Sequence, residues 1–127
     1  MDGMNRALLY DEPITKEQEI INVIIDTVAE VFETTAETIK SENRNRWLSV
    51  YPRYVAGYLI QQSLDITLAE AGKIFNRDHS SIVHLNKQVP VLLHHKFGCI
   101  DFQDKWDTVN NLLWNRYGIK VNCAIFE

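Results

Sequence analysis

Three consecutive side chains, Asp78, His79 and Ser80, have the residue types of a hydrolase triad. A triad needs acid, base and nucleophile to converge on one point. Neighbouring side chains on a helix point ~100° apart, so a helical Asp78-His79-Ser80 cannot converge. His79 and His84 stand five apart, the wrong step for one helical face, and His94 and His95 are adjacent and splay. No acidic cluster supplies the other ligands of a metal site. Gly72-Lys73 lacks the earlier glycine and the following Ser/Thr of a phosphate-binding loop. The spacings therefore predict no enzyme, no metal and no cofactor.

The same residues suit base reading. Asp78 can accept from a cytosine amino group or cap its own helix. His79 and Ser80 can exchange hydrogen bonds with base edges, and Ser81 or Val83 can meet a thymine methyl. The helix N-terminus can also hold a phosphate through its backbone N–H groups. This use requires a helix that starts at Asp78 and turns its first residues outward. Ile82, Leu85 and Val89, at i, i+3 and i+7, should pack inward and leave His79, Ser80, Val83 and Lys87 outside. Ahead of it, Thr67-x-x-Glu70 is a capping box. Leu68, Ala71, Ile74 and Phe75 form the expected buried face of a short helix, and Gly72 leaves room for close approach. Helix, tight joint, helix is the layout of a helix-turn-helix reader.

Other elements must hold this pair. Thr15 and Gln18 form a capping-box pattern that opens a helix with the stripe Ile20, Ile24, Val28 and Val31, widened by Ile21, Ile25 and Phe32. Glu19, Asp26, Glu30 and Glu33 form its acidic outer face. Thr34 and Glu37 suggest a second box and a short turn ending near Lys40. Ser41 to Tyr51 reads as a loop in which Arg44 and Arg46 flank Trp47, placed either to touch a DNA backbone or to be solvated beside a packed indole. Pro52 suits the first turn of a helix with the buried stripe Val55, Ala56, Leu59, Ile60 and Ser63. Gly57 costs that helix ~1 kcal/mol against alanine but permits close contact. Pro90 should end or kink the reader helix. Asp101 should cap a last helix with the stripe Phe102, Trp106, Val109, Leu113 and Tyr117, stopped by Gly118. Ile119 to Phe126 alternates like a short strand or an extended tail. The whole reads as all-α, with about six helices: an arm over 1–14 that reads as flexible, then a single helical domain over 15–127.

The net charge of −4 is unevenly spread over the 127 residues. Residues 1–40 carry −6, residues 41–97 carry +3 and residues 98–127 carry −1. The net positive charge thus lies with the reader, and its small size predicts weak non-specific DNA affinity. Cys99 and Cys123 form neither a disulfide framework nor a zinc spacing. The chain shows no signal-peptide layout and no membrane-length apolar run, and a cytoplasmic location is expected.

Arg77-Asp78-His79-Ser80-Ser81-Ile82-Val83-His84 resembles the signature of the C-terminal DNA-binding domain of the bacterial replication initiator DnaA, which reads Gly-Arg-Asp-His-Thr/Ser-Thr/Ser-Val-Leu-His. Leu68-Ala-Glu-Ala-Gly-Lys-Ile-Phe75 resembles the family's Leu-x-Glu-Ile-Gly-x-x-Phe. Val28-Ala-Glu-Val-Phe32, Ile39-Lys-Ser41 and Pro52-Arg53-Tyr-Val-Ala56 resemble its upstream segments, so the likeness spans about residues 20–89. It implies the family's compact helical bundle, double-stranded DNA as partner and a role in replication or transcription, with replication proteins as further candidate partners. It implies base contacts by Asp78, His79 and Ser80, methyl or backbone contacts by Ser81 and Val83, and a backbone or bracing role for Arg77. With Arg44, Arg46, Arg53 and Lys87, these are the candidate DNA-binding residues. The alternative is a protein-interaction module that keeps the fold with weak or no DNA binding. Three positions depart from the family. Asn76 replaces the glycine before the arginine, Glu42-Asn43-Arg44 replaces a Lys-Arg-Arg-type run, and Tyr51 replaces the arginine that enters the minor groove. The likeness does not extend to the family's ATPase domain, which suggests a standalone DNA-binding protein.

Overall fold

Thr15 caps as its position predicts. Its hydroxyl accepts from the Gln18 N–H, and helix α1 runs over Lys16–Phe32 in the computed structural model, which describes residues 15–120. The Gln18 amide turns to Asn22 instead of completing the box. The buried stripe is Ile21, Ile24, Ile25, Val28, Ala29 and Phe32, while Ile20 and Val31 are only partly covered. Glu33 then takes a left-handed conformation, φ 57°, and stops the helix.

The second cap falls one residue later than the sequence pattern suggests. Thr35, not Thr34, accepts from the Thr38 N–H and opens α2, Ala36–Lys40. The Thr34 hydroxyl donates instead to the Leu48 carbonyl at 2.7 Å. The expected loop over 41–51 is more ordered than its lack of apolar periodicity predicts. Asn43 and Asn45 fold back on the backbone, and the Asn45 side chain accepts from the Trp47 and Leu48 N–H groups. A π-helical turn, Arg46–Val50, follows and feeds directly into α3, Tyr51–Ser63. Pro52 has no N–H to offer the carbonyl of Leu48, four residues back, and the Thr34 hydroxyl fills that vacancy.

Helix α3 is the hub. Val55, Ala56, Leu59 and Ile60 are fully buried, and α1 and α5 pack on either side. Ser63 is half-buried, and its hydroxyl oxygen has no partner among the described residues. Helices α4, Leu68–Ile74, and α5, His79–Leu93, form the helix-turn-helix, and α6, Ile100–Tyr117, crosses α1 and α5. Pro90 does not end α5. The helix continues to Leu93, because Val89 and Leu93 are both buried against the core. Cys99, not Asp101, is the N-cap of α6, without a side-chain bond. Asp101 lies in the first turn, where its charge still favours the helix dipole. Phe102, Trp106, Val109 and Leu113 are buried as expected, but Tyr117 is exposed because Gly118, φ 68°, ends the helix beside it.

Helix α6 also closes over α1. Arg116 makes a two-pronged ion pair with Glu30 at 2.8 and 3.0 Å, and the Lys105 ammonium donates to the Val31 carbonyl. The acidic face of α1 is therefore partly engaged, not wholly solvated. The described residues form six α-helices and the π-helical turn, an all-α bundle. The proposed arm over 1–14, Cys123 and most of the alternating tail lie outside the described residues. No helix among the described residues is long and apolar enough to cross a membrane, and none of their His, Cys, Asp or Glu side chains group as metal ligands.

Candidate nucleic-acid interface

The joint between α4 and α5 is built by Gly72, Phe75, Asn76 and Arg77. The Gly72 carbonyl accepts from the Phe75 and Arg77 N–H groups at 3.0 and 2.8 Å. Asn76 takes φ 57°, the left-handed geometry that asparagine tolerates better than most side chains. Gly72 lies so close to the returning chain that an added Cβ would fall 2.5 Å from the Arg77 carbonyl oxygen. At the other end of α4, both halves of the Thr67–Glu70 capping box are made, at 3.1 and 2.8 Å. Ala71 and Phe75 are buried, whereas Leu68 is exposed, contrary to its assignment to the inner face.

Helix α5 divides its faces as its spacing predicts. Ile82, Leu85, Val89 and Leu93 are buried. His79, Ser80, His84 and Lys87 are exposed, with Ser81 and Val83 half-covered. Asp78 is the N-cap. Its Oδ1 accepts the Ser80 hydroxyl at 2.7 Å and, more weakly, the Ser81 N–H at 3.4 Å. This commits the Ser80 proton inward, so Ser80 presents acceptor lone pairs to an incoming group. The second Asp78 oxygen has no hydrogen-bond partner among the described residues.

The Ser80 hydroxyl first, and then the Ser81 N–H, hold the Asp78 carboxyl below the usual carboxylate range. A depressed carboxylate contributes stability above its unfolded pKa, and that contribution is lost as pH falls through the folded value. Melting temperature should therefore fall on acidification below the ordinary carboxylate range. Asp78→Asn, which can still cap, should lessen that fall. An identical acid profile in the variant would show that this cap does not couple folding to pH.

Beside the first turn of α5 lies a cleft of about 610 Å³ lined by Arg44, Arg53, Tyr54, Arg77, Ser80 and His84 among others. Arg53 is a buried cation. Its Nη1 donates to the Ile39 carbonyl at 3.2 Å and the Ser49 hydroxyl at 3.0 Å. Burial first, then the Arg77 charge, lowers its pKa to about 10, so it stays charged at neutral pH. Arg77 donates to the Ser41 carbonyl at 2.6 Å and so ties the helix-turn-helix joint to the end of α2. Both arginines thus brace the scaffold while lining the cleft. Arg44 and Arg46 are exposed, Arg44 in the cleft and Arg46 at the head of the π-helical turn.

Tyr51, where the resemblance would have set a minor-groove arginine, points into the fold. It meets Trp47 and Phe102 edge-on at 4.9 and 5.3 Å between ring centres. Trp47 also stacks on Phe32, so the indole is a packing residue beside its solvated arginines. Three contributors escaped the sequence reading: Tyr54, His84 against its ring, and Ser49, fully buried between Arg53 and the Thr38 carbonyl. The step of four from Ser80 to His84 was the signal available for His84. Ser49 gave none, because its partners are set by tertiary packing.

Residues 21–89 match the family model for the bacterial dnaA protein helix-turn-helix. Among curated proteins, the chain is 38% identical over 73 residues to the chromosomal replication initiator protein DnaA of Lachnoclostridium phytofermentans, covering 57% of this chain and 16% of that protein. It is 41% identical over 61 residues to the same-named protein of Deinococcus radiodurans, covering 48% and 13%. With that of Thermosipho africanus it shares 34% over 70 residues, covering 55% and 16%. The chain thus spans less than a fifth of the length of these relatives. With more than half of its length in the matched region, and with the helix-turn-helix in place, the chain belongs to the bacterial DnaA helix-turn-helix family.

Proposed function

We propose that the chain binds double-stranded DNA in a sequence-specific way, with the N-terminal turn of α5 in the major groove, in the regulation of replication or transcription. The observation that carries this reading is the outward first turn of α5 on a buried anchor. Asp78, His79 and Ser80 face solvent while Ile82, Leu85 and Val89 hold the helix to the core. The free Asp78 oxygen and the acceptor-only Ser80 favour a base that offers an amino group, such as cytosine or adenine. Arg44, Arg53 and Arg77 line the flanking cleft and supply positive charge for a phosphate, and the exposed Arg46 and Lys87 are the further candidates for backbone contact. Ser81 and Val83, half-covered beside that turn, are the candidates for methyl or backbone contact. The shared name of the relatives makes replication proteins the natural further partners.

Selection of bound duplexes from a random pool at low salt tests the reading. An enriched motif is expected, with log affinity falling linearly with log salt. His79→Ala should then cost ~1–3 kcal/mol and relax specificity at one base position. A pool that emerges without enrichment would sink it. The inward Tyr51 then favours the second reading, a DnaA-like fold serving protein interaction, because it supplies no cation at the minor-groove position.

A further inference from the structure

We propose that Gln61 and Asn86 are positioning residues that set the rotation of α5 on α3 and thereby the aim of its base-reading turn. This rests on the DNA-binding reading above. The two side chains form a reciprocal amide pair between the helices. Gln61 Nε2 donates to Asn86 Oδ1 at 2.9 Å, and Asn86 Nδ2 donates back to Gln61 Oε1 at 3.0 Å. Gln61 Nε2 also donates to the Gly57 carbonyl at 3.0 Å, which fixes that side chain to its own helix. Both residues are half-buried.

The other contacts between the helices are the edge-on Tyr54–His84 ring pair and apolar packing. Leu85 lies over Gly57, where an added Cβ would fall 2.9 Å from a Leu85 methyl, and Phe75 packs alongside. Apolar burial is non-directional and tolerates small rotations. Two antiparallel amide bonds between planar groups do not. Asn86 also follows His79 by seven residues, and seven helical steps return to within ~20° of the same face. A rotation that displaces Asn86 therefore swings His79 by the same angle. Binding groups must be held within about 10–20° of their productive direction, so loss of this restraint reaches the bases directly.

Removing one amide would strand its partner, whereas replacing both with apolar groups of similar size leaves none unsatisfied. The test variant is thus Gln61→Met with Asn86→Leu, measured with the wild type on a selected duplex and a scrambled one. Melting temperature is followed in parallel, and binding is measured where both proteins are folded. The ratio of the two affinities should fall about tenfold or more in the double variant. Affinity for scrambled DNA and the salt slope should stay within about twofold. The exchange Gln61→Asn with Asn86→Gln, which restores an amide pair, should recover most of the ratio. A double variant that discriminates like the wild type overturns the positioning role and leaves the DNA reading standing. A wild type that discriminates between no duplexes overturns both.

Discussion

Phe75→Ala is expected to remove about 3–5 kcal/mol of stability, the range for a large aromatic deleted from a core. Small domains hold only about 5–15 kcal/mol in total, so this one change should leave the fold marginal. The effect is placed at the centre of the reader. Phe75 is fully buried where the α4–α5 joint meets α3, and its ring lies 3.6 Å from where a Gly57 Cβ would be. Urea unfolding should show a lower midpoint with an unchanged slope. A loss under about 1.5 kcal/mol would mean that neighbouring side chains collapse into the gap and that Phe75 is not the keystone of the joint.

Gly72→Ala is expected to destabilise by about 1–3 kcal/mol, the range for overpacking, although alanine is the better helix former by about 1 kcal/mol. The atoms in the way are backbone: the Arg77 carbonyl oxygen at 2.5 Å and Asp78 at 3.2 Å. Backbone cannot rotate aside, so the joint must open and carry the start of α5 with it. Gly57→Ala is the matched comparison. There the nearest atom is a Leu85 methyl at 2.9 Å, at the end of a side chain that can move. Thermal melts of the two variants should separate, with Gly72→Ala the lower. Equal melts would mean that the joint yields as readily as a leucine methyl. DNA discrimination in Gly72→Ala, measured where it is folded, should fall with the opened joint.

Much of the reader was legible because its signals are local. The Thr67–Glu70 box, the Asp78 cap and the i, i+3, i+7 stripe from Ile82 each involve residues within a few positions of one another. Asn76 could be read from the one conformation that a tight turn demands. The Arg53 brace was not legible, since it meets Ile39 across 14 positions, and for Arg77 the resemblance left backbone and bracing roles open because its partner Ser41 lies 36 positions away. Nothing in the sequence says whether an arginine will bind a carbonyl or a phosphate. Of the two effects expected of Pro90, an end or a kink, the end does not occur, because the burial of Val89 and Leu93 on either side outweighs the local propensity to stop. Leu68 and Tyr117 misled for the opposite reason. Each lies at the end of a helix, where periodicity continues but the neighbouring layer does not.

The π-helical turn has a consequence for chain length. Insertion or deletion of a residue inside an α-helix rotates everything beyond it by ~100° and moves a buried face into solvent. At Arg46–Val50, the Asn45 carbonyl already accepts from both the Ser49 and the Val50 N–H, each at 3.0 Å. The four-step and five-step bonds thus coexist there. Losing one residue from this turn would leave the tighter bond in place and keep Val55, Ala56, Leu59 and Ile60 facing inward. The segment ahead of α3 is therefore where this chain has one residue to spare while the reader downstream keeps its register.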